Sequence, residues 1–405
     1  EKIAELFATF KNPDKETVLT PWRVINMQFG KTLGGLNFYD DSYQHMTLDG
    51  VSTTHWVDKE ETKELFKDGI NFLDINSKSG LYPLYVAISL YYKKIQEDNR
   101  FNPDEIYGNI LKNQVFAIAK TPMAKTITER TLAGYKNFKT NVKYISDFSG
   151  IIQKNINFGK KKVEEEFNDM KFDVVIGNPP YQESTNSGEV RLGQEKSVKN
   201  VFQHFQLIAD DLATKYSCLI YPGVRWIHRS GKGLGNFGRD QINSSTLSKL
   251  YFYPDAEEIF TDVAIADGIS IVLKDYNKKN HSFEYTYVHN NEEETINLES
   301  PGDELLTLDP NNYFIVEKLN EFMNTYKLPS ISNSDVKSRS LFSIESDFAE
   351  KNADKIIEKA RVEGAQSKDR IISNSSLTAR DMILVAKQEM INKVFELTKE
   401  KLKTL

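Results

Sequence analysis

A single cysteine, Cys218, stands among 405 residues. Intrachain disulfides are therefore excluded, and so is any metal site built on paired thiolates. Long apolar runs are missing too, since none approaches the ~20 residues a membrane-spanning helix needs. No signal peptide is visible, so a cytoplasmic protein without a membrane partner is the expectation. Basic charge is not in surplus: 52 Lys and Arg face 58 Asp and Glu, a net charge of −6. This excludes a surface coated uniformly for polyanions and leaves local patches for any such contact. The imbalance is uneven, because residues 326–405 hold 15 Lys and Arg against 12 Asp and Glu. No internal repeat, Ser-His-Asp set, His/Asp/Glu metal spacing or nuclease-like acidic–x–Lys cluster is found.

What is present is a large aromatic content, 24 Phe and 19 Tyr, in a chain long enough for two or three domains. From residue 70 the pattern alternates. Strand-like runs fall at 71–75, 114–119, 142–146, 172–177, 216–222, 248–253 and 268–273, with helical periodicity between several of them, as at 81–94 and 198–212. Alternation of this kind predicts a doubly wound, mostly parallel α/β sheet of seven strands. The last two runs lie close together and predict an antiparallel strand near one end. Residues 1–69 read as helical or irregular, with Thr20-Pro21 as a helix-start signal. Pro301-Gly302 breaks the pattern, and mainly helical segments follow. The expected division is 1–69, 70–304 and 305–405.

The most informative stretch is Phe172 to Gln182, an apolar β-branched run closed by Gly177 and followed by Asn178-Pro179-Pro180-Tyr181. Consecutive prolines can neither continue a sheet ladder nor enter a helix interior, which predicts a rigid turn at the strand's carboxyl end. Ligands bind at that end of an open α/β sheet. Asn178 offers an amide oxygen and Pro179 a carbonyl, two acceptors for one exocyclic amine. Tyr181 offers a flat face for a planar base.

Asn178–Tyr181 after a buried strand resembles the catalytic motif of S-adenosylmethionine-dependent methyltransferases acting on planar amide or amine nitrogens, above all the adenine-N6 DNA methyltransferases. Other segments extend the resemblance. The strand Phe72-Leu73-Asp74-Ile75, then Asn76-Ser77-Lys78-Ser79-Gly80, is similar to the family's cofactor loop, with Ile75 and Lys78 departing from its usual form. Thr121-Pro122 stands where the family has an acid for the cofactor ribose, which implies a weaker, uncharged bond. Asp147-Phe148 matches the pair that holds the cofactor's adenine, although an Asp at a strand end is also a common helix cap. Thr20-Pro21 resembles the motif that closes over the cofactor's methionine end.

The order of these motifs is that of the gamma class of restriction–modification methyltransferases. The resemblance implies a substrate of double-stranded DNA, a flipped-out adenine and a possible separate endonuclease subunit. It also implies a DNA target-recognition region at 305–405. Phe260, after Asp255-Ala256-Glu257-Glu258-Ile259, either faces Tyr181 across the base or is a core residue anchoring a loop. The Gly-rich segment carrying Arg225, His228, Arg229, Lys232 and Arg239 reads as a DNA-backbone contact. Two rivals stay open: a protein methyltransferase acting on glutamine nitrogen, and a DNA-binding relative that has lost catalysis.

Overall fold

The computed structural model describes residues 19–97, 102–184, 198–230, 233–260, 265–290 and 292–313, with scattered positions to 325. The chain divides into two compact units, Glu1–Glu317 and Lys318–Leu405. The first is built on one nine-stranded sheet: β1 (Phe72–Ser77), β2 (Val115–Ala119), β3 (Asn141–Tyr144), β4 (Phe172–Gly177), β5 (Ala213–Pro222), β6 (Leu247–Tyr253), β7 (Ile269–Asp275), β8 (Ser282–His289) and β9 (Glu292–Glu299). Their spatial order is β9-β8-β6-β7-β5-β4-β1-β2-β3. All seven expected strands are present. The count of seven is corrected to nine, because β8 and β9 form a hairpin that extends the sheet beyond β6. Its outer strand alternates exposed and half-buried positions and carries Glu292, Glu293, Glu294 and Glu299. So polar a strand gives little apolar signal to read.

β3, β2, β1, β4 and β5 run parallel. Two strands are reversed: β7, antiparallel to both β5 and β6 inside the sheet, and β9, antiparallel to β8 at its edge. The period-two side-chain alternation is buried on both faces. Phe72, Val174, Ile176, Cys218 and Ile220 enter one core, and Leu73, Ile75, Val175, Leu219 and Tyr221 the other. Helices cover each core. α1 (Trp22–Lys31), α2 (Leu81–Glu97), α3 (Pro103–Asn113) and α4 (Pro122–Ala133) lie on the first face. α5 (Phe148–Lys154), α6 (Ile156–Glu166), α7 (Phe202–Leu212) and α8 (Gly235–Ile242) lie on the second.

α1 is buried almost all round, with Val24, Ile25 and Phe29 sharing a core with the sheet. The N-terminal segment is thus part of the same body as the sheet. Residues after α1 are more extended than expected and form short paired strands, Gly35–Asn37 with His55–Val57 and Thr47–Leu48 with Val51–Ser52. Residues 198–200, expected as helix, instead pair with 182–184.

Topology decides where the site must be. From β1 the chain moves outward through β2 and β3, then returns to place β4 on the opposite side of β1. The crevice beyond the carboxyl ends of β1 and β4 is therefore the switch point at which open α/β sheets bind ligands.

Candidate functional site

β4 ends at Gly177, whose φ is +146°; a Cβ there would lie 3.0 Å from Asp74 Oδ1. Glycine therefore lets the β1 carboxyl and the turn after β4 share one crevice. Asn178, Pro179 and Pro180 are buried, Asn178 with 3% exposure. Tyr181 is half-buried and packs against both cores. Its backbone carbonyl accepts from the Val201 amide at 3.0 Å, which anchors the turn to the start of α7. Burial pushes the Tyr181 hydroxyl up, well out of the physiological range, opposed by a hydrogen bond with Asn178.

Two of the expected residues, Asn76 and Thr20, converge on this turn. Asn76 Nδ2 donates to the Asn178 carbonyl at 3.1 Å, joining the β1 loop to the β4 turn. Thr20 is buried, and its hydroxyl lies 3.0 Å from one end of the Asn178 amide. Around the other end of that amide stand the Tyr181 hydroxyl at 3.1 Å, the Ile220 carbonyl oxygen at 3.2 Å and the Pro179 carbonyl oxygen at 3.3 Å. Pro21 precedes α1, and its carbonyl accepts from Val24 and Ile25. Arg23 then donates to the carbonyls of Glu258 and Ile259 at 3.0 and 2.9 Å, tying that loop to the helix that Thr20 precedes.

Asp74 is corrected from a strand tip to a strand interior, because β1 runs on to Ser77. The extension is possible because its polar side chains find partners: Asn76 bonds Asn178, and Ser77 shares a 3.0 Å bond with Thr128. Burial pushes the Asp74 carboxyl up to about 7, opposed by hydrogen bonds from Ser77 and the Asn76 backbone and by Lys78.

Beside this turn a cavity of about 180 Å³ is lined by Asn76, Ile118, Lys120, Asp147, Phe148 and Phe205, among others. The expected Asn76, Asp147 and Phe148 are thus brought together. Asp147 is exposed, sits in the left-handed region at φ 53°, and makes no side-chain cap. A non-glycine residue held there without a cap is backbone strain at the mouth of a cavity. Asp147 holds the N-cap position of α5, with its carboxylate beside Gly150 in the first turn. A carboxylate acceptor, a buried ring and aliphatic walls at one cavity fit a flat, amine-bearing heterocycle such as the adenine of S-adenosylmethionine.

Three expectations need correction, and Arg225 and Arg239, expected at DNA, keep about half their side chains exposed while paired within the chain. Thr121 is exposed, and its hydroxyl accepts from the Ala124 amide at 3.0 Å, so it caps α4 instead of lining the cavity. Gly80 does permit a close approach, but of α4: a Cβ there would meet Thr128 Cα at 2.9 Å. Phe260 is 2% exposed in the core with Trp22, Tyr253 and Ile259, so its ring has no open face. The arginines expected at DNA are engaged within the chain. Arg225 pairs with Asp267 at 3.0 Å and Arg239 with Asp303 at 3.4 Å. Arg229 donates to the carbonyls of Gly302 and Asp303. Lys232 lies outside the described residues.

Sequence reasoning missed Lys120, Ile118 and Phe205 as cavity walls, and Gln28 and Tyr82 behind Thr20. Gln28 did carry a signal, as one of two amides, with Asn26, in a helix rich in large apolar residues. Among the described residues, no cluster of His, Cys, Asp and Glu could hold a metal, and no helix is long and apolar enough to cross a membrane.

Residues 113–260 match the family model of the Eco57I restriction-modification methylase. A Mycoplasma pneumoniae protein described as an uncharacterized adenine-specific methylase is 30% identical over 221 residues, 51% of this chain and 49% of that one. The chain thus spans about half the length of that relative. A different likeness occupies the carboxyl-terminal part. Residues 341–405 match the model of the ATP synthase (E/31 kDa) subunit. The corresponding V-type ATP synthase subunit of Fusobacterium nucleatum is 45% identical over 56 residues, 14% of this chain and 31% of that one. A nuclease-deletion mutant of the Type ISP restriction-modification enzyme LlaGI, in complex with a DNA substrate mimic, superposes with a TM-score of 0.47 at 14% identity. It covers 77% of this chain and 33% of that one, too loosely to carry an argument.

Proposed function

We propose that the chain is a DNA methyltransferase of a restriction–modification system, moving a methyl group from S-adenosylmethionine to the exocyclic N6 of a flipped-out adenine. The observation that carries this reading is the buried Asn178 amide beside the Pro179 carbonyl at the sheet's switch point. The match of residues 113–260 to a restriction-modification methylase supports it.

In this reading Asn178 Oδ1 and the Pro179 carbonyl accept the two amine hydrogens and draw the nitrogen toward tetrahedral geometry. Its lone pair is then directed at the reacting carbon. S-adenosylmethionine, when bound, supplies an electrophilic methyl with a good leaving group, so orientation can replace a strong base. Asp147 would accept from the cofactor's adenine amine, and Phe148 would pack on its ring. Thr121 is left out of cofactor binding because it caps α4.

Extrusion of the base costs roughly a few kcal/mol, and stacking on an aromatic returns about 1–3 kcal/mol. Tyr181 supplies that face, and Phe260 joins it only if its ring leaves the core. A separate endonuclease subunit and a cytoplasmic setting go with this function. Residues 305–405 remain the proposed reader of DNA sequence. Its rival is the likeness of 341–405 to an ATP synthase subunit, and removal of Lys318–Leu405 decides between them.

Labelled S-adenosylmethionine, incubated with the protein, duplex DNA and a cell extract, tests the reading. Label in DNA at adenine N6 is expected. Label in protein at glutamine would select the rival substrate, whose planar amide nitrogen suits the same pair of acceptors.

A further inference from the structure

Asn76 stands where two strands part. β1 and β4 pair through Phe72 with Val174, Leu73 with Val175 and Asp74 with Ile176. The ladder stops there, although the same register carried on would set Asn76 opposite Asn178. On the other side of β1, Asp74 pairs with Ala117 and Ser77 with Ala119, so three steps on β1 match two on β2. One extra residue is thus inserted at Ile75–Asn76, and an insertion of this kind re-aims a side chain. Asp74 Oδ1 accepts from the Asn76 amide at 3.2 Å and steadies the irregular stretch.

The Asn76 side chain takes over where the ladder ends. Its Nδ2 donates to the Asn178 carbonyl at 3.1 Å. A carbonyl can only accept, so the orientation of the Asn76 amide is fixed. That carbonyl belongs to the Asn178–Pro179 peptide, and holding it fixes the plane from which the Asn178 side chain and the Pro179 carbonyl both project. Asn76 is only 6% exposed, yet it also lines the cavity of Asp147 and Phe148. With its nitrogen committed to the turn, Asn76 Oδ1 has no partner among the described residues. Buried acceptors are normally satisfied, so a lone one in a cavity wall suits a donor that the cavity takes in. Thr121, expected at the cofactor ribose, is turned away to cap α4, which leaves the donors of a bound cofactor to other acceptors.

We propose that Asn76 is a positioning residue that joins the cofactor cavity to the Asn178 turn: its oxygen accepts a hydroxyl or ammonium hydrogen of S-adenosylmethionine while its nitrogen holds the Asn178 carbonyl. The proposal rests on the methyl-transfer reading for the identity of the ligand. One carboxamide thereby ties the filling of the cavity to the placement of the target-amine acceptors.

Two arms test it on the full chain. In the first, asparagine is labelled with ¹⁵N and the Asn76 side-chain NH₂ is identified by its loss in Asn76→Ala. S-adenosylhomocysteine should shift that resonance, and Asn76→Ala should weaken its binding about tenfold by calorimetry. In the second, methyl transfer to mixed genomic duplex DNA is followed at saturating S-adenosylmethionine. Asn76→Ala should lose about 10–100-fold in kcat.

Asn76→Asp separates the two ends of the side chain. Protonated, the acid still donates to the Asn178 carbonyl; ionised, it cannot donate and it repels that oxygen. Its kcat relative to wild type should therefore fall about 10–100-fold between pH 6 and pH 9, while its relative affinity for S-adenosylhomocysteine does not fall. Asp74, Lys78, Lys120 and Asp147 stand around this position in both proteins, so the ratio removes their own titration. A ratio that is flat with pH overturns the proposal, as does an Asn76 resonance unmoved by bound S-adenosylhomocysteine. A wild type that binds the compound and moves the resonance, yet transfers no methyl to DNA, defeats the functional reading alone. One that binds no S-adenosyl compound defeats both.

Discussion

Replacing Asp74 with asparagine isolates the buried carboxyl at the centre of the crevice. Asp74 is 2% exposed, and burial raises it from 3.8 to about 7. The folded protein therefore holds this proton more tightly than the unfolded chain. The stability it contributes is full below the unfolded value near 4 and is lost as pH rises through about 7. Each tenfold difference in proton affinity between the two states corresponds to about 1.4 kcal/mol. Between pH 5 and pH 8 the wild type should thus lose roughly 3 kcal/mol at this position, while an asparagine of the same shape loses none.

With an unfolding entropy of about 2 cal/mol/K per residue, the 317 residues of the first unit give roughly 0.7 kcal/mol/K. The Tm of Asp74→Asn should accordingly gain about 4 °C on the wild type from pH 5 to pH 8, levelling off above pH 7. Differential scanning calorimetry of both proteins across that range measures it. A Tm difference that does not change with pH would refute the reasoning, because it would mean the hydrogen bonds and Lys78 keep Asp74 ionised despite its burial.

Thr121→Ala removes a helix cap and should destabilise by about 1 kcal/mol in chemical denaturation, with S-adenosylmethionine affinity by calorimetry unchanged; a large loss of affinity would return Thr121 to the cofactor site. Gly80→Ala places a methyl against Thr128 Cα at φ +78° and should cost more than the ~1 kcal/mol of an ordinary Gly substitution, read as a lowered Tm. Phe260→Ala should cost about 3–5 kcal/mol as a core cavity, so a stable variant impaired only in DNA binding would show that the ring faces the base. Asp147→Ala should weaken S-adenosylmethionine binding by about tenfold and lower Tm slightly, since alanine is less at ease than aspartate in the left-handed region at the start of α5.

The parallel strands were legible because they are buried on both faces and read as continuous apolar runs, as Val174–Ile176 and Val115–Ala119 do. The turn at Asn178 was legible because two prolines leave the backbone few options. β9 was not legible, since an edge strand of glutamate and threonine owes its state to pairing with β8 rather than to its own composition. Thr121 and Gly80 were misassigned, and Phe260 left between two readings, for a common reason. Capping, close packing and anchoring use the same residue types at strand ends as ligand binding does, and only the partners in space separate them. Gln28 meets Tyr82 and the Cys218 carbonyl through contacts that no linear spacing encodes.

The glutamates of β9 have a consequence for assembly. The outer strand of any open sheet is a template onto which another chain can add a strand, and negative charge along it makes such addition unfavourable. Glu292, Glu294 and Glu299 therefore form a fence that disfavours joining two copies edge to edge, while Glu293 is drawn to Lys31 of α1. The same fence repels a polyanion. Negatively charged molecules are thereby turned away from that margin.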